Sequence, residues 1–101
     1  MMPKVFVEYK VNSDCRDSYL ALMKELLQSE PKLTLFEGTD QPGLYVELWE
    51  GLPYEEYSRM KLTRTQSATE GAQSLSGWSL LPKYVEGGAQ KIHIWHFAQV
   101  E

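Results

Sequence analysis

Three side chains in this sequence have the chemistry for proton transfer and stand at matching places in alternating segments: Glu8, Glu47 and His93. Alternation sends every second side chain to the same face of a strand. Glu8 then travels with Phe6, Glu47 with Tyr45 and Trp49, and His93 with Trp95 and Phe97, so each sits on the aromatic side of its segment. With their strands adjacent in one sheet, an imidazole and two carboxylates share a surface, where a carboxylate favours the protonated imidazole and orients it as a general acid or base. The competing reading is polar pairing within an interface, because buried polar groups need partners whatever the chemistry. The same trio could hold a metal ion, yet no ligand-spacing motif accompanies it, and neither a metal site nor a cofactor is assigned.

A second group could hold a ligand. Tyr54, Tyr57, Trp78 and Tyr84, with Trp95, bring hydroxyl and indole groups that orient a small aromatic molecule in a cleft between helices and sheet. Helical spacing alone would also make the first four core residues. His96 is three residues from His93, an odd offset that places the two on opposite strand faces and prevents shared chelation. It is expected beside Ile92 and Ile94 as a hydrogen-bonded group at the rim of the core. Cys15, the sole cysteine, falls in the first turn of a helix, where Asp14 and Asp17 oppose the dipole's activation of a thiol. It is expected to be a solvent-facing or half-buried structural thiol. Gly38 to Gly43 lacks the lysine and strand-to-helix setting of a phosphate loop and reads as a hairpin turn.

The elements that must position these residues are legible. Residues 4 to 11 alternate Val5, Val7, Tyr9 and Val11 against Phe6, Glu8 and Lys10, which predicts a strand. Asn12-Ser13-Asp14 then offers N-cap oxygens ahead of Tyr19, Leu22, Met23, Leu26 and Leu27 at helical spacing, ending before Pro31. Leu33 and Leu35 alternate with Thr34 and Phe36, and Leu44, Val46 and Leu48 with Tyr45, Glu47 and Trp49. Asp40-Gln41-Pro42-Gly43 joins these two strands by turn chemistry. Pro53 opens a second helix to about Gln66, with Glu55 and Glu56 at its positive end, Lys61 and Arg64 at its negative end, and Tyr54, Tyr57 and Met60 facing inward. Residues 65 to 77 are small and polar and read as a frayed helix end and a mobile loop. Trp78, Leu81, Tyr84 and Val85 return to helical spacing, and Gly87-Gly88 turns the chain into a last strand, Lys91 to Phe97.

The order β-α-β-β-α-β predicts a single ferredoxin-like α+β domain over residues 1 to 101, with a four-stranded antiparallel sheet of order 4-1-3-2 and both helices on the aliphatic face. Phe6, Phe36, Tyr45, Trp49, Trp95 and Phe97 would then line the other face. Leaving that face in water costs roughly 25 cal/mol per Å² of apolar area, so a homodimer through it is expected. The net charge of −4 is spread along the chain without a basic patch, which speaks against nucleic acid as a partner. No apolar run approaches the roughly 20 residues that span a bilayer. A single cysteine and an N-terminus without an apolar leader lead to a cytoplasmic expectation.

In element order, length, short third helix and aromatic open face, the chain resembles the dimeric α+β barrel superfamily that includes antibiotic-biosynthesis-monooxygenase-like domains. The resemblance implies two sheets paired face to face and a cleft that holds an organic ligand. One branch degrades haem with an Asn near the first strand and a Trp and His on the second helix; Asn12 is present, but the second helix carries neither Trp nor His. Another branch oxidises aromatic polyketides without a cofactor through hydrogen bonds from Asn, Trp and Tyr, residue types that this chain also has. Three functions follow as alternatives: a small-molecule enzyme such as a cofactor-independent monooxygenase, a non-catalytic ligand-binding or sensing domain, and a structural dimerisation module.

Overall fold

The computed structural model describes residues 3–65, 78 and 80–100. Its order is β1 (Lys4–Lys10), α1 (Arg16–Ser29), β2 (Leu33–Glu37), β3 (Leu44–Glu50), α2 (Tyr54–Thr65) and β4 (His93–Phe97). Antiparallel pairing in the order β2-β3-β1-β4 reproduces the expected sheet. Tyr19 and Met23 of α1 are buried against Val5, Val7 and Tyr9 of β1, with Leu26 and Leu27 packed at the edge of that core. This is the stripe that the helical spacing predicts, except that Leu20 and not Leu22 packs against the core. The β2–β3 loop closes as a hairpin: Gly38 N–H donates to the Leu44 carbonyl at 2.8 Å, and Gly43 takes a φ of 94° that only glycine adopts freely.

The main departure is the facing of β3. Its register against β1 pairs Val5 with Trp49, Val7 with Glu47 and Tyr9 with Tyr45. Tyr45, Glu47 and Trp49 therefore lie inside, under the helices, and Leu44, Val46 and Leu48 lie on the open face with Phe6 and Glu8. The expectation that Tyr45 and Trp49 form part of an interface is corrected accordingly. Alternation says which residues share a face but not which face is inside. The aliphatic set is the more apolar of the two, and what reverses the facing is a set of partners for the Glu47 carboxylate, the Trp49 indole N–H among them.

Smaller departures have local causes. Ser13–Cys15 forms a 3₁₀ turn ahead of α1, so Cys15 lies just before the helix, half-buried, and Asn12 caps through its carbonyl and not its side chain. Residues Leu81–Lys83 make one 3₁₀ turn in place of the expected helix, after which Val85 bridges Val11. Gly87 and Gly88 do turn the chain, but Ala89–Lys91 is again 3₁₀, and β4 begins at His93. The loop expected over 65 to 77 lies outside the described residues, except that Thr65 ends α2. Among the described residues no helix is long and apolar enough to cross a membrane.

Candidate functional site

The inward turn of β3 delivers Glu47 to the middle of the protein, where it is wholly withdrawn from water. An isolated carboxylate there would be prohibitive. Arg64, in the last turn of α2 and 4% exposed, meets it end-on: Nη1 donates to Oε1 at 3.1 Å and Nη2 to Oε2 at 2.7 Å. The indole N–H of Trp49 also donates to Oε1 at 2.9 Å, and the Tyr9 hydroxyl donates to Oε2 at 2.5 Å. These four donors fill the four lone-pair positions of a carboxylate. Since Tyr9 spends its proton on Glu47, its contact with the Tyr19 hydroxyl at 2.8 Å has Tyr19 as the donor.

The electrostatics follow from burial and this pairing. Desolvation alone would lower the Arg64 pKa, but the charge and hydrogen bonds of Glu47 outweigh it and hold the guanidinium above its ordinary value. Burial first, and then the Glu47 charge, push the Tyr9 phenol well above the usual tyrosine range; burial does the same to Tyr19. The group is one cation, one anion and two neutral phenols.

One end of this network opens into a cleft of about 380 Å³ lined by Trp49, Met60, Arg64 and Trp78, with Glu30, Glu56 and Arg59 also contributing. The ring of Trp78 lies over Arg64, whose Cζ is 4.1 Å from the ring centroid, and the Trp78 and Trp49 rings are 5.6 Å apart. Arg64 Nε is buried and has no hydrogen-bond partner among the described residues, so the guanidinium has donor capacity that Glu47 does not use.

The sequence-predicted residues are only partly brought together. Glu8 and His93 face each other across β1 and β4 on the open face, as expected, and His93 stacks on Trp95 at 5.9 Å. Glu47 is on the opposite face of the sheet, so the expected trio is split, because β3 presents its odd-numbered residues to the helices. Glu8 and His93 instead border a separate pocket of about 420 Å³ with Lys10, Glu86 and Lys91. Among the described residues no cluster of three or more His, Cys, Asp and Glu side chains is placed to hold a metal.

Of the five residues expected to bind a ligand, Trp78 lines the cleft beside Arg64, Tyr57 and Tyr84 pack against the core, Tyr54 is 63% exposed, and Trp95 lies on the far side of the sheet. They do not form one pocket. His96 occupies the core's rim on the helix side as expected, between the rings of Tyr54 and Tyr57 at 5.4 and 5.1 Å, but its Nε2 has no hydrogen-bond partner. Arg64 was legible only as a helix-end cation. The signal that could have found it was the need of an inward Glu47 for a partner.

No protein-family model matches the chain, and no curated protein does. Solved structures do. A conserved protein from Methanosarcina mazei superposes with a TM-score of 0.70 at 12% identity, covering 96% of this chain and 91% of its own. A protein described as an antibiotic biosynthesis monooxygenase gives 0.67 at 17% identity with full coverage of both chains. SnoaB, a cofactor-independent oxygenase from Streptomyces nogalater, gives 0.57 at 13% identity, covering 99% of this chain and 94% of its own. At these identities the likeness shows the fold alone: a four-stranded antiparallel sheet with two helices, shared with these structures.

Proposed function

We propose that this protein binds a small planar organic molecule in the cleft between α2 and β3 and oxygenates it without a cofactor. The observation that carries the reading is the buried Glu47–Arg64 pair set at the foot of an indole-lined cleft. Apolar residues of similar volume would serve stability as well as such a pair does, so its presence beside a cleft points to a use for the charge. The cleft's size suits a small ligand, with Trp49, Trp78 and Met60 as its apolar wall and charged groups from Glu30, Glu56, Arg59 and Arg64 around it.

In this reading Trp49, Trp78 and Met60 take the flat faces of the substrate. Arg64, held in plane by Glu47, favours an ionised enol or phenol, and a rim carboxylate, Glu56 or Glu30, accepts the substrate proton. The resulting carbanion supplies the electrons that dioxygen needs. A carbon–oxygen bond forms to give a hydroperoxide, the carbon's remaining C–H proton is lost as the O–O bond breaks, and the carbonyl results while the outer oxygen leaves with the two former methylene protons as water. Glu47 is a positioning residue here and not the base, because its lone pairs are already engaged. A second copy of the chain covers the open face, where Phe36, Trp95 and Phe97 are 51%, 43% and 53% exposed. The cytoplasm is the compartment that a single cysteine suits.

The test is oxygen uptake with dithranol, a dihydroxyanthrone, in the presence of a chelator. Uptake of one dioxygen per anthraquinone formed, above the uncatalysed rate and lost in Arg64→Met, is the expected result. Quenching of tryptophan fluorescence without faster uptake would make this a binding domain. Neither quenching nor uptake would leave assembly as its role and end the oxygenase reading.

A further inference from the structure

The two cleft indoles are neighbours, with centroids 5.6 Å apart, yet each meets a different member of the ion pair. Trp78 lies against the Arg64 guanidinium at 4.1 Å, so taking an electron from it would set positive charge beside a cation. Trp49 donates its N–H to the Glu47 carboxylate at 2.9 Å, which stabilises the cation radical that oxidation would leave. A hole entering this pair belongs on Trp49. The other oxygen of Glu47 accepts the Tyr9 hydroxyl at 2.5 Å, so Tyr9 has a proton acceptor already in place. Beyond Tyr9 come the Tyr19 hydroxyl at 2.8 Å and the Tyr45 ring, 4.6 Å from that of Tyr19. Trp49, Tyr9, Tyr19 and Tyr45 are all buried.

We propose that Trp49 and Tyr9, joined by Glu47, form a one-electron relay that drains an oxidising radical from the cleft into the core. An aryloxyl or organic peroxyl radical in the cleft takes one electron from Trp49 and leaves as its anion. The Trp49 cation radical then takes one electron from Tyr9, whose phenolic proton crosses to Glu47 Oε2. The products are a neutral Tyr9 radical and a protonated Glu47. An external reductant such as ascorbate restores the electron, and the proton returns from Glu47 to Tyr9. The relay does not depend on the oxygenase reading, since it is built of the chain's own residues and can be driven by an added oxidant.

Flash-generated ruthenium(III) trisbipyridyl, with transient absorbance and electron paramagnetic resonance, tests it on the intact protein. In wild type an indole radical should convert to a tyrosyl radical, and the conversion should slow in deuterated buffer. In Tyr9→Phe the indole radical should persist roughly tenfold longer, the loss of a path worth about 1.4 kcal/mol of barrier. Trp49→Phe should remove the fast conversion, and Tyr54→Phe, which deletes the phenolic hydroxyl of an exposed tyrosine, should not. An isotope-insensitive conversion in wild type overturns the relay with no variant needed. Loss of conversion in Trp78→Phe but not in Trp49→Phe overturns the assignment of the hole.

Discussion

Arg64 and Glu47 are 17 residues apart in sequence and meet through two parallel hydrogen bonds, with both side chains almost fully withdrawn from solvent. Removing one partner strands a charge in the core, so Arg64→Met and Glu47→Gln should each cost about 3–5 kcal/mol in urea unfolding. The double replacement Glu47→Gln with Arg64→Met should cost less than the sum of the two singles, with a coupling of about 1–3 kcal/mol. Single costs below about 1 kcal/mol would mean the pair behaves as a solvent-exposed one.

The tyrosines of the network set the alkaline limit. Tyr9 and Tyr19 have folded pKa values raised by burial above the unfolded value of about 10. A raised folded pKa contributes stability that is complete below the unfolded value and is lost as pH climbs above it, because only the unfolded chain releases those protons. Stability should therefore fall above about pH 10. In a titration followed by tyrosinate absorbance, the last tyrosines should ionise together with loss of circular dichroism. Complete titration of all six tyrosines with the fold intact would contradict the burial.

Association should be a property of the open face. Phe36→Lys and Trp95→Glu each place a charge among exposed apolar groups and should shift sedimentation from dimer to monomer at micromolar concentration, leaving circular dichroism unchanged. A wild-type monomer of 11.6 kDa under those conditions would remove the dimer while leaving the fold.

His93 and Arg64 lie on opposite faces of the sheet, and this separates the two candidate sites. If the cleft holds the chemistry, Arg64→Met should abolish dithranol oxidation, and His93→Ala should alter dimerisation with ligand quenching retained. Loss of turnover in His93→Ala with the dimer intact would return the active centre to the open face, beside Glu8.

Gly87 has a φ of 87°, and a Cβ there would stand 2.4 Å from Lys91 Cγ. The lysine chain can move aside, but the left-handed backbone cannot be relieved. Gly87→Ala should cost about 1 kcal/mol or more in thermal or chemical unfolding. A stabilised variant would show that the turn has another conformation to adopt.

Much of the architecture follows from local sequence. Period-two runs, the Pro42-Gly43 and Gly87-Gly88 turns and the Tyr19, Met23, Leu26 and Leu27 stripe each act over a few residues, so the element order and sheet topology could be derived from them. The placement of Glu8 and His93 together was legible for the same reason, since each belongs to a segment whose aliphatic partners are unambiguously inside. The site was not. On β3 both faces are apolar enough to be buried, Leu44, Val46 and Leu48 on one and Tyr45 and Trp49 on the other, so alternation had no power to choose between them. That choice was made by tertiary structure, because the carboxylate of Glu47 can be buried only where Arg64 arrives from α2, Tyr9 from β1 and Trp49 from its own strand. A strand's pattern reports the hydrophobicity of its faces. Whether a buried charge is tolerated depends on donors from three separate elements, and their convergence exists only once the chain is folded.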